Sequence, residues 1–347
     1  MDFYLAPMEG VTGYIYRNAI HDLFGEGIVK YFTPFIVPRP KKGMQNKERR
    51  DLQPENNTGI RLVPQILTNQ AADFLALSKE IHEKYGWEEI DLNAGCPSKT
   101  VISNGKGAGI LKDVAALDHF LEEIFSKTEL KLSVKTRLGM EDPEEFAPIL
   151  EVYNKYPMTE LIIHPRVQAD QYKGPVRMDA FLNALQECKM PVVYNGDIFS
   201  AEDYQKKMAC IASAVPDGNT HAGAEEEVSA AMDAAGYEAK LRAVMLGRGL
   251  MRDPALAREL HHYELQRHTG QTVRDTAAAT REELRAFHDR IFDAYQELFD
   301  GEMPLLFHTK ELWGSMSTLF PEKEKSLKKI RKSRNAVEYL AGVREIL

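Results

Sequence analysis

The chain has 347 residues and carries 52 acidic against 44 basic side chains, which gives a net charge of −8 at pH 7. A field of this sign does not attract nucleic acid to the whole molecule, so such a partner must be held by local basic patches. The length allows one large domain and a smaller one. Because no apolar run reaches the roughly 18 residues of a membrane span, we expect no association with a membrane.

The cysteine count and the first residues bear on the cellular compartment. Cys96, Cys188 and Cys210 are odd in number and widely spaced, which argues against a disulfide framework or a cysteine-rich metal site. Residues 1–7 lack a basic region followed by an apolar core, so we predict no secretory signal. We therefore expect a cytoplasmic protein without a bound metal, and we take it to be a monomer.

Eight short apolar runs recur along the chain, and segments of helical period separate most of them. The runs are residues 3–5, 28–32, 60–67, 89–92, 130–134, 160–163, 190–194 and 243–246. Strands that alternate with helices in this way predict an α/β fold, a (β/α)₈ TIM barrel. A doubly wound open sheet is the competing layout, but no Gly-x-Gly-x-x-Gly follows the first strand, so we rank it lower.

Two parts of the chain fit a barrel poorly. Residues 34–59 hold several prolines where a second helix belongs, and we expect an extended excursion with at most a short helix. The chain between the seventh and eighth strands is too long, and residues 225–235 are predicted to add a helix there.

The end of the chain has a different character from the rest. The last barrel helix is predicted to run to about residue 268, and Thr269 and Gly270 begin a linker. Thr280 and Glu283 form a capping-box pattern ahead of an apolar stripe. The sequence therefore predicts a barrel domain over residues 1–268 and a small helical domain over residues 280–347.

Cys96 lies between Gly95 and Pro97, directly after the fourth predicted strand. A lone cysteine is often a small buried hydrophobe. Here the neighbours offer no apolar face, and the glycine and proline force the backbone out of the sheet. A thiol on such a loop is a candidate for chemistry.

Active sites of barrels form at the C-terminal ends of the strands, where this chain has many polar residues. The seventh and eighth strands are followed by Asn195-Gly196-Asp197 and Gly247-Arg248, which suit a phosphate because small residues allow close approach of the backbone. Lys135 continues the pattern of the fifth strand, and an in-barrel lysine usually faces a ligand or a carboxylate because burying it unpaired is costly.

Six short motifs resemble, in the same order, those of the tRNA-dihydrouridine synthases. They are residues 6–12, 91–98, 134–139, 164–166, 195–198 and 247–249, of which Asn-Ala-Gly-Cys-Pro at 93–97 is the most specific. Residues 308–313 and the basic tail resemble that family's helical domain. The resemblance covers nearly the whole chain.

The resemblance implies an FMN-containing barrel that reduces the C5=C6 bond of uridine in tRNA to 5,6-dihydrouridine, with NADPH reducing the flavin. It implies that Cys96 is the proton donor, since a thiol of ordinary pKa stays protonated at neutral pH. The implied cofactor-binding residues are Pro7, Met8, Gln65, Lys135, His164, Asn195, Gly196, Asp197, Gly247 and Arg248. The implied substrate-binding residues are Asn93, Arg166 and Tyr172.

Two basic stretches are candidates for binding tRNA. Residues 323–334 hold seven cations, and residues 39–50 make a second patch in the loop after the second strand. Either could instead be a solvated face.

The chain departs from the family pattern in two places. Pro165 stands where the family commonly has Gly, and the long segment 209–242 enlarges the connection after the seventh strand.

Three other functions remain open from the sequence. One is an FMN barrel oxidoreductase that acts on a free pyrimidine-like metabolite, which would have no need of the basic tail. Another is a tRNA-binding protein without catalysis, against which Cys96, Lys135 and His164 speak. A flavin-free, phosphate-binding aldolase or isomerase is the third.

Overall fold

A computed structural model describes residues 1–39, 41–214, 240–270 and 278–347. In these ranges the strands form one parallel sheet with helices around it. The strands are β1 (Asp2–Leu5), β2 (Ile28–Phe32), β3 (Leu62–Val63), β4 (Gln65–Ile66), β5 (Glu89–Ala94), β6 (Lys131–Arg137), β7 (Glu160–His164), β8 (Val192–Tyr194) and β9 (Leu241–Leu246).

The sheet closes through Pro64, which interrupts the third predicted strand. β3 pairs with β2 and β4 pairs with β5, so the two pieces join the ends of the strand order. Pro64 has no N–H to give to a ladder, but its carbonyl still accepts from the N–H of Asp91 at 2.9 Å. The predicted barrel is therefore confirmed, and the open sheet is excluded.

Helices follow the strands and continue beyond the barrel. Within the described ranges they are α1 (Tyr14–Phe24), α2 (Asn46–Leu52), α3 (Ala71–Tyr85), α4 (Lys99–Ile102), α5 (Val114–Phe125), α6 (Phe146–Tyr153), α7 (Met178–Glu187), α8 (Ala201–Ser213), α9 (Arg248–Arg252), α10 (Leu256–Thr269), α11 (Arg281–Leu298), α12 (Glu302–Met316), α13 (Glu324–Lys332) and α14 (Ala336–Arg344). None of them is long and apolar enough to cross a membrane.

Local signals in the sequence explain several of these boundaries. Asp113 caps α5 by accepting from the N–H of Ala116 at 3.0 Å. Thr280 and Glu283 form the predicted capping box at the start of α11. Between residues 34 and 59 the only α-helix among the described residues is the short α2, as expected. The helix predicted over 225–235 lies outside the described residues.

The barrel interior changes from apolar to ionic toward the N-terminal ends of the strands. Phe32, Val63 and Ile162 belong to its buried apolar cluster. Nearer the bottom, Lys30 donates to Glu89 at 2.5 Å and to Glu160 at 3.0 Å. Because each of these charges is paired, their burial is tolerable, and they close the end of the barrel opposite the candidate site.

The helices after the barrel pack against its first helix. Phe287 of α11 makes ring contacts with Tyr16 and Phe24 of α1, with centroids 5.8 and 5.7 Å apart. Within the helical region, the Tyr339 hydroxyl accepts from Trp313 Nε1 at 2.9 Å and lies 2.8 Å from His288 Nε2. The C-terminal helices thus share a core with the barrel surface.

Candidate active site

A cavity of about 310 Å³ opens at the C-terminal ends of the strands. Its size lies at the lower end of the range for small-molecule sites, roughly 300–1,000 Å³. Every site residue predicted from the sequence except Arg166 lines it. These side chains meet because parallel strands end at the same rim, although the residues are far apart in the chain.

The loop that carries Cys96 is shaped by Asn93. The Oδ1 of Asn93 accepts from the N–H of Gly95 at 3.1 Å and from the N–H of Cys96 at 2.9 Å. A neighbouring loop packs on the same turn, since Ala108 donates its N–H to the carbonyl of Cys96 at 3.1 Å. Gly107 permits this approach, because a Cβ there would lie 2.8 Å from the Cys96 carbonyl oxygen.

Cys96 is partly exposed to the cavity and its thiol stays protonated at neutral pH. Burial raises the pKa of the Cys96 thiol, and a backbone hydrogen bond from Ser98 and the charges of Arg137 and Lys135 offset this only in part. A protonated thiol can donate a proton to a reacting atom in the cavity.

Lys135 carries a cation into the same cavity. Its ammonium makes no hydrogen bond or ion pair with any described residue. Burial and the charge of Arg137 lower the pKa of Lys135 to about 8, and the charge of Asp91 opposes this only in part. A cation in this position favours a ligand that carries or develops negative charge.

His164 is neutral and its tautomer is set by a neighbour. Burial, and then the charges of Arg137 and Lys135, lower the pKa of His164 well below its usual value. Arg166 can only donate, and its Nη1 lies 3.0 Å from His164 Nε2. The proton of the imidazole must therefore be on Nδ1, which can donate to a ligand.

Arg166 lies behind the cavity instead of lining it. Its guanidinium donates to Asp197 at 3.1 and 2.5 Å and to the carbonyl of Gly174 at 2.6 Å. Arg248 also donates to Asp197, at 2.7 Å. Burial alone would raise the pKa of Asp197, but the bonds and charge of Arg166 and the charge of Arg248 bring it below its usual value.

The loops after β8 and β9 present backbone to the cavity. A Cβ on Gly196 would lie 2.2 Å from the Tyr194 hydroxyl oxygen, and one on Gly249 would lie 2.2 Å from the Ile198 carbonyl oxygen. Among the described residues, the N–H groups of Gly196, Asp197 and Arg248 have no acceptor. Free N–H groups beside a guanidinium suit a phosphate. Asn195 holds the first loop by donating to the carbonyl of Met245 at 2.8 Å.

Tyr172 stands at the mouth of the cavity with half of its surface exposed. Its ring lies 5.3 Å from the guanidinium carbon of Arg137 and 4.9 Å from that of Arg248. The preceding residue, Gln171, has a φ of 50°, a rare conformation for a residue with a side chain. The Arg137 guanidinium donates to the carbonyl of Gln171 at 2.8 Å.

Sequence reasoning assigned no role to several residues of the site. Arg137 also donates to the carbonyls of Gly95 at 2.9 Å and Val167 at 3.0 Å. It therefore links the loop that carries Cys96 to the loop after β7, which carries Tyr172. Phe35 and Phe199 line the cavity as well. Arg137 lies two residues beyond Lys135 on the same strand, and residues at that spacing point to the same face of a sheet. No local signal in the sequence marked the two phenylalanines.

Comparison with known proteins gives one consistent answer. A family model described as dihydrouridine synthase matches residues 4–215. The chain is 23% identical over 318 residues to a probable tRNA-dihydrouridine synthase 1 of Synechocystis sp., which covers 89% of this chain and 78% of that protein.

Two further relatives carry similar names. The chain is 23% identical over 295 residues to tRNA-dihydrouridine synthase B of Shewanella oneidensis, with 84% of this chain and 80% of that protein covered. It is 26% identical over 277 residues to tRNA-dihydrouridine(16) synthase of Neisseria meningitidis serogroup B, with 78% and 73% covered. These matches extend past the family model into the C-terminal helices or the segment before them.

Proposed function

The chain belongs to the dihydrouridine synthase family, and from this premise we propose that it reduces the C5=C6 bond of uridine in tRNA to 5,6-dihydrouridine, with FMN as cofactor and NADPH as reductant. The observation that carries the proposal is the pairing of two groups in one cavity. A protonated thiol at Cys96 and the ammonium of Lys135, which has no partner among the described residues, both line it.

The residues present fit a flavin mononucleotide. The N–H groups of Gly196, Asp197 and Arg248, for which the described part of the chain offers no acceptor, would hold the phosphate together with the Arg248 guanidinium. His164 would donate from Nδ1 to the same part of the cofactor. Pro7 and Met8 would pack beside the ring system, and Gln65 would offer its remaining N–H to it.

Lys135 would place its charge beside the pyrimidine edge of the flavin ring. When bound, FMN supplies the hydride that adds to C6 of the uracil. Cys96 holds the proton that C5 needs, and it holds that proton on a loop fixed by Asn93 and Arg137. Asn93 retains one N–H that no described residue accepts, which can orient the base.

The uridine must leave its stack to reach this cavity. The half-exposed ring of Tyr172 offers a face on which an extruded base can stack. Arg166 supports this arrangement from behind, by fixing His164 and Asp197, and does not contact the base in our proposal.

We further propose that residues 280–347 form the helical domain that holds the body of the tRNA. The exposed cations Lys325, Lys328, Arg331 and Lys332 have no ion-pair partner among the described residues, and all four lie on α13. Lys329 is less available, since it pairs with Glu345 at 2.5 Å.

The decisive experiment compares Cys96→Ala with the parent protein in a reaction with unmodified tRNA, FMN and NADPH. We expect the variant to bind FMN and to be reduced by NADPH as before. We expect it to lose most uridine reduction, by about 10²-fold or more, because the proton donor is gone. Dihydrouridine is measured by mass spectrometry of digested tRNA.

Cys188→Ala is the matched control, since Cys188 is buried away from the cavity. Full activity of Cys96→Ala would remove the thiol from the chemistry. A parent protein that binds no flavin, or that reduces only free pyrimidines, would contradict the proposed function itself.

A further inference from the structure

A chain of side-chain hydrogen bonds runs beneath the cavity from Asp91 to the Cys96 loop. Gln65 Nε2 lies 2.7 Å from Asp91 Oδ2, and Asn93 Nδ2 lies 2.8 Å from Gln65 Oε1. The chain continues from Asn93 Oδ1 to the N–H groups of Gly95 and Cys96. Asp91 is fully buried and does not itself line the cavity.

The direction of every bond in this chain follows from its two ends. Asp91 needs a donor, so the Gln65 atom next to it is the amide nitrogen. The Gln65 oxygen then faces Asn93, which must donate from its own nitrogen. The Asn93 oxygen is left to face the two backbone N–H groups, which can only donate.

The opposite orientation of Gln65 is the same in shape and differs only in polarity. Turning its carboxamide over would bring two nitrogens together at Asn93 and two acceptor oxygens together at Asp91. Packing cannot distinguish the two orientations, because the nitrogen and the oxygen of an amide are nearly equal in size. The acceptor at position 91 therefore selects the observed orientation at one end of the chain, as the N–H groups of the Cys96 loop do at the other.

We propose that Asp91 is a positioning residue of the site: its acceptor oxygen anchors the Gln65 carboxamide, which in turn holds Asn93 and so the loop that carries Cys96. The catalytic consequence of this inference rests on the proposed function. The structural consequence, a fixed Cys96 loop, does not.

For the position of the Cys96 loop the acceptor oxygen matters, and the charge does not. Burial raises the pKa of Asp91 to about 7, against the bonds from Gln65 and Ser133. Ser133 now donates to Asp91 Oδ1 at 2.7 Å, and its hydroxyl can turn to accept when the carboxyl is protonated. An asparagine at position 91 would use the same arrangement and keep its oxygen on Gln65.

The test uses Asp91→Ala and Asp91→Asn in the full-length protein. The first readout is the rate at which iodoacetamide alkylates Cys96, followed peptide by peptide with mass spectrometry and without cofactor or tRNA. We expect the alanine variant to react severalfold faster, because its loop is released, and the asparagine variant to match the parent. Cys188 and Cys210 serve as internal references for general unfolding.

The second readout is uridine reduction with kcat separated from KM. We expect Asp91→Ala to lower kcat by about tenfold or more, since a misplaced donor slows proton transfer, and Asp91→Asn to restore most of it. If Asp91→Ala does not fold, Gln65→Leu interrupts the same chain and should release Cys96 in the same way.

Two results would overturn the inference. One is parent-like alkylation of Cys96 in both the alanine and the leucine variants. The other is an asparagine variant as impaired as the alanine variant, which would assign the effect to charge. Because the alkylation readout needs neither FMN nor tRNA, it stands or falls separately from the proposed function.

Discussion

Lys135 shows how the surroundings of one side chain decide its charge. Burial and the neighbouring Arg137 disfavour the ammonium and lower its pKa to about 8. In the ligand-free protein the cation is thus present below pH 8 and is lost as the pH rises through that value. A flavin whose pyrimidine edge accepts a hydrogen bond from this group should bind most tightly to the protonated form, because a charged donor makes the stronger bond.

We therefore expect the affinity for FMN to fall as the pH rises through about 8, by up to about tenfold per pH unit for one linked proton. Lys135→Met should bind FMN more weakly and lose this pH dependence. Quenching of flavin fluorescence measures the dissociation constant at each pH. Lys131→Met on the exposed end of the same strand is the control, and an unchanged pH profile in Lys135→Met would contradict the assignment.

At the scale of elements, the two loops after β8 and β9 depend on glycines that bring backbone close to other groups. Gly196 packs against the Tyr194 hydroxyl, which is buried and has no partner among the described residues. Gly249 packs against the carbonyl of Ile198. The contact of Gly249 with Ile198 joins the two loops, and residues of both line the cavity.

Gly196→Ala should displace the first of these loops. The added Cβ would lie 2.2 Å from the Tyr194 hydroxyl oxygen and 2.6 Å from the ring carbon Cζ that carries this hydroxyl. The loop must therefore move. We expect overpacking to cost the folded protein about 1–3 kcal/mol of stability, with the circular dichroism of the barrel retained, and the displaced loop to bind FMN with lower affinity. Calorimetric titration measures the loss.

Gly314→Ala is the matched control, because a Cβ at this helical glycine meets nothing within 4 Å. It should leave FMN binding unchanged. The double variant Gly196→Ala with Tyr194→Phe should recover part of the affinity, since it removes the nearest atom. If Gly196→Ala binds FMN as tightly as the parent, and the double variant binds it no more tightly, the loop does not hold the phosphate.

At the scale of the whole molecule, an acidic protein is proposed to bind a polyanion. The net charge of −8 opposes the encounter, so the cations of α13 must act locally, within a Debye length of the phosphates. The Phe287 contacts on α1 couple these helices to the barrel, and this coupling relates the bound tRNA to the cavity.

Neutralising Lys328, Lys329, Arg331 and Lys332 to Gln should weaken tRNA binding and reduce its dependence on salt, because fewer counterions are released. Reduction of the flavin by NADPH should be unchanged. Binding is measured by filter retention over a series of salt concentrations. Of the four cations, Lys329 should contribute least, as it is already paired with Glu345.

The matched control neutralises four exposed lysines near the opposite end of the barrel, which are Lys79, Lys84, Lys127 and Lys131. It changes the net charge by the same amount. An equal loss of tRNA affinity in the two variants would mean that the net charge of the protein controls binding and that α13 is a solvated face.

The sequence by itself determined the barrel and most of the rim of its cavity. Short apolar runs gave the strand positions, because a buried parallel strand must be apolar along its length. Glycine and proline marked the loop that carries Cys96, and the pattern of the fifth strand placed Lys135 near the rim. These are local properties, and a local pattern encodes them.

Only the tertiary structure decided which groups meet. Arg166 looks like a substrate contact in the sequence, yet its guanidinium is taken up by Asp197 and Gly174. Asp91 looks like an ordinary strand residue, yet it lies beneath Gln65 and orients it. The choice of partner depends on distance and direction across strands far apart in the chain, and no local pattern records it.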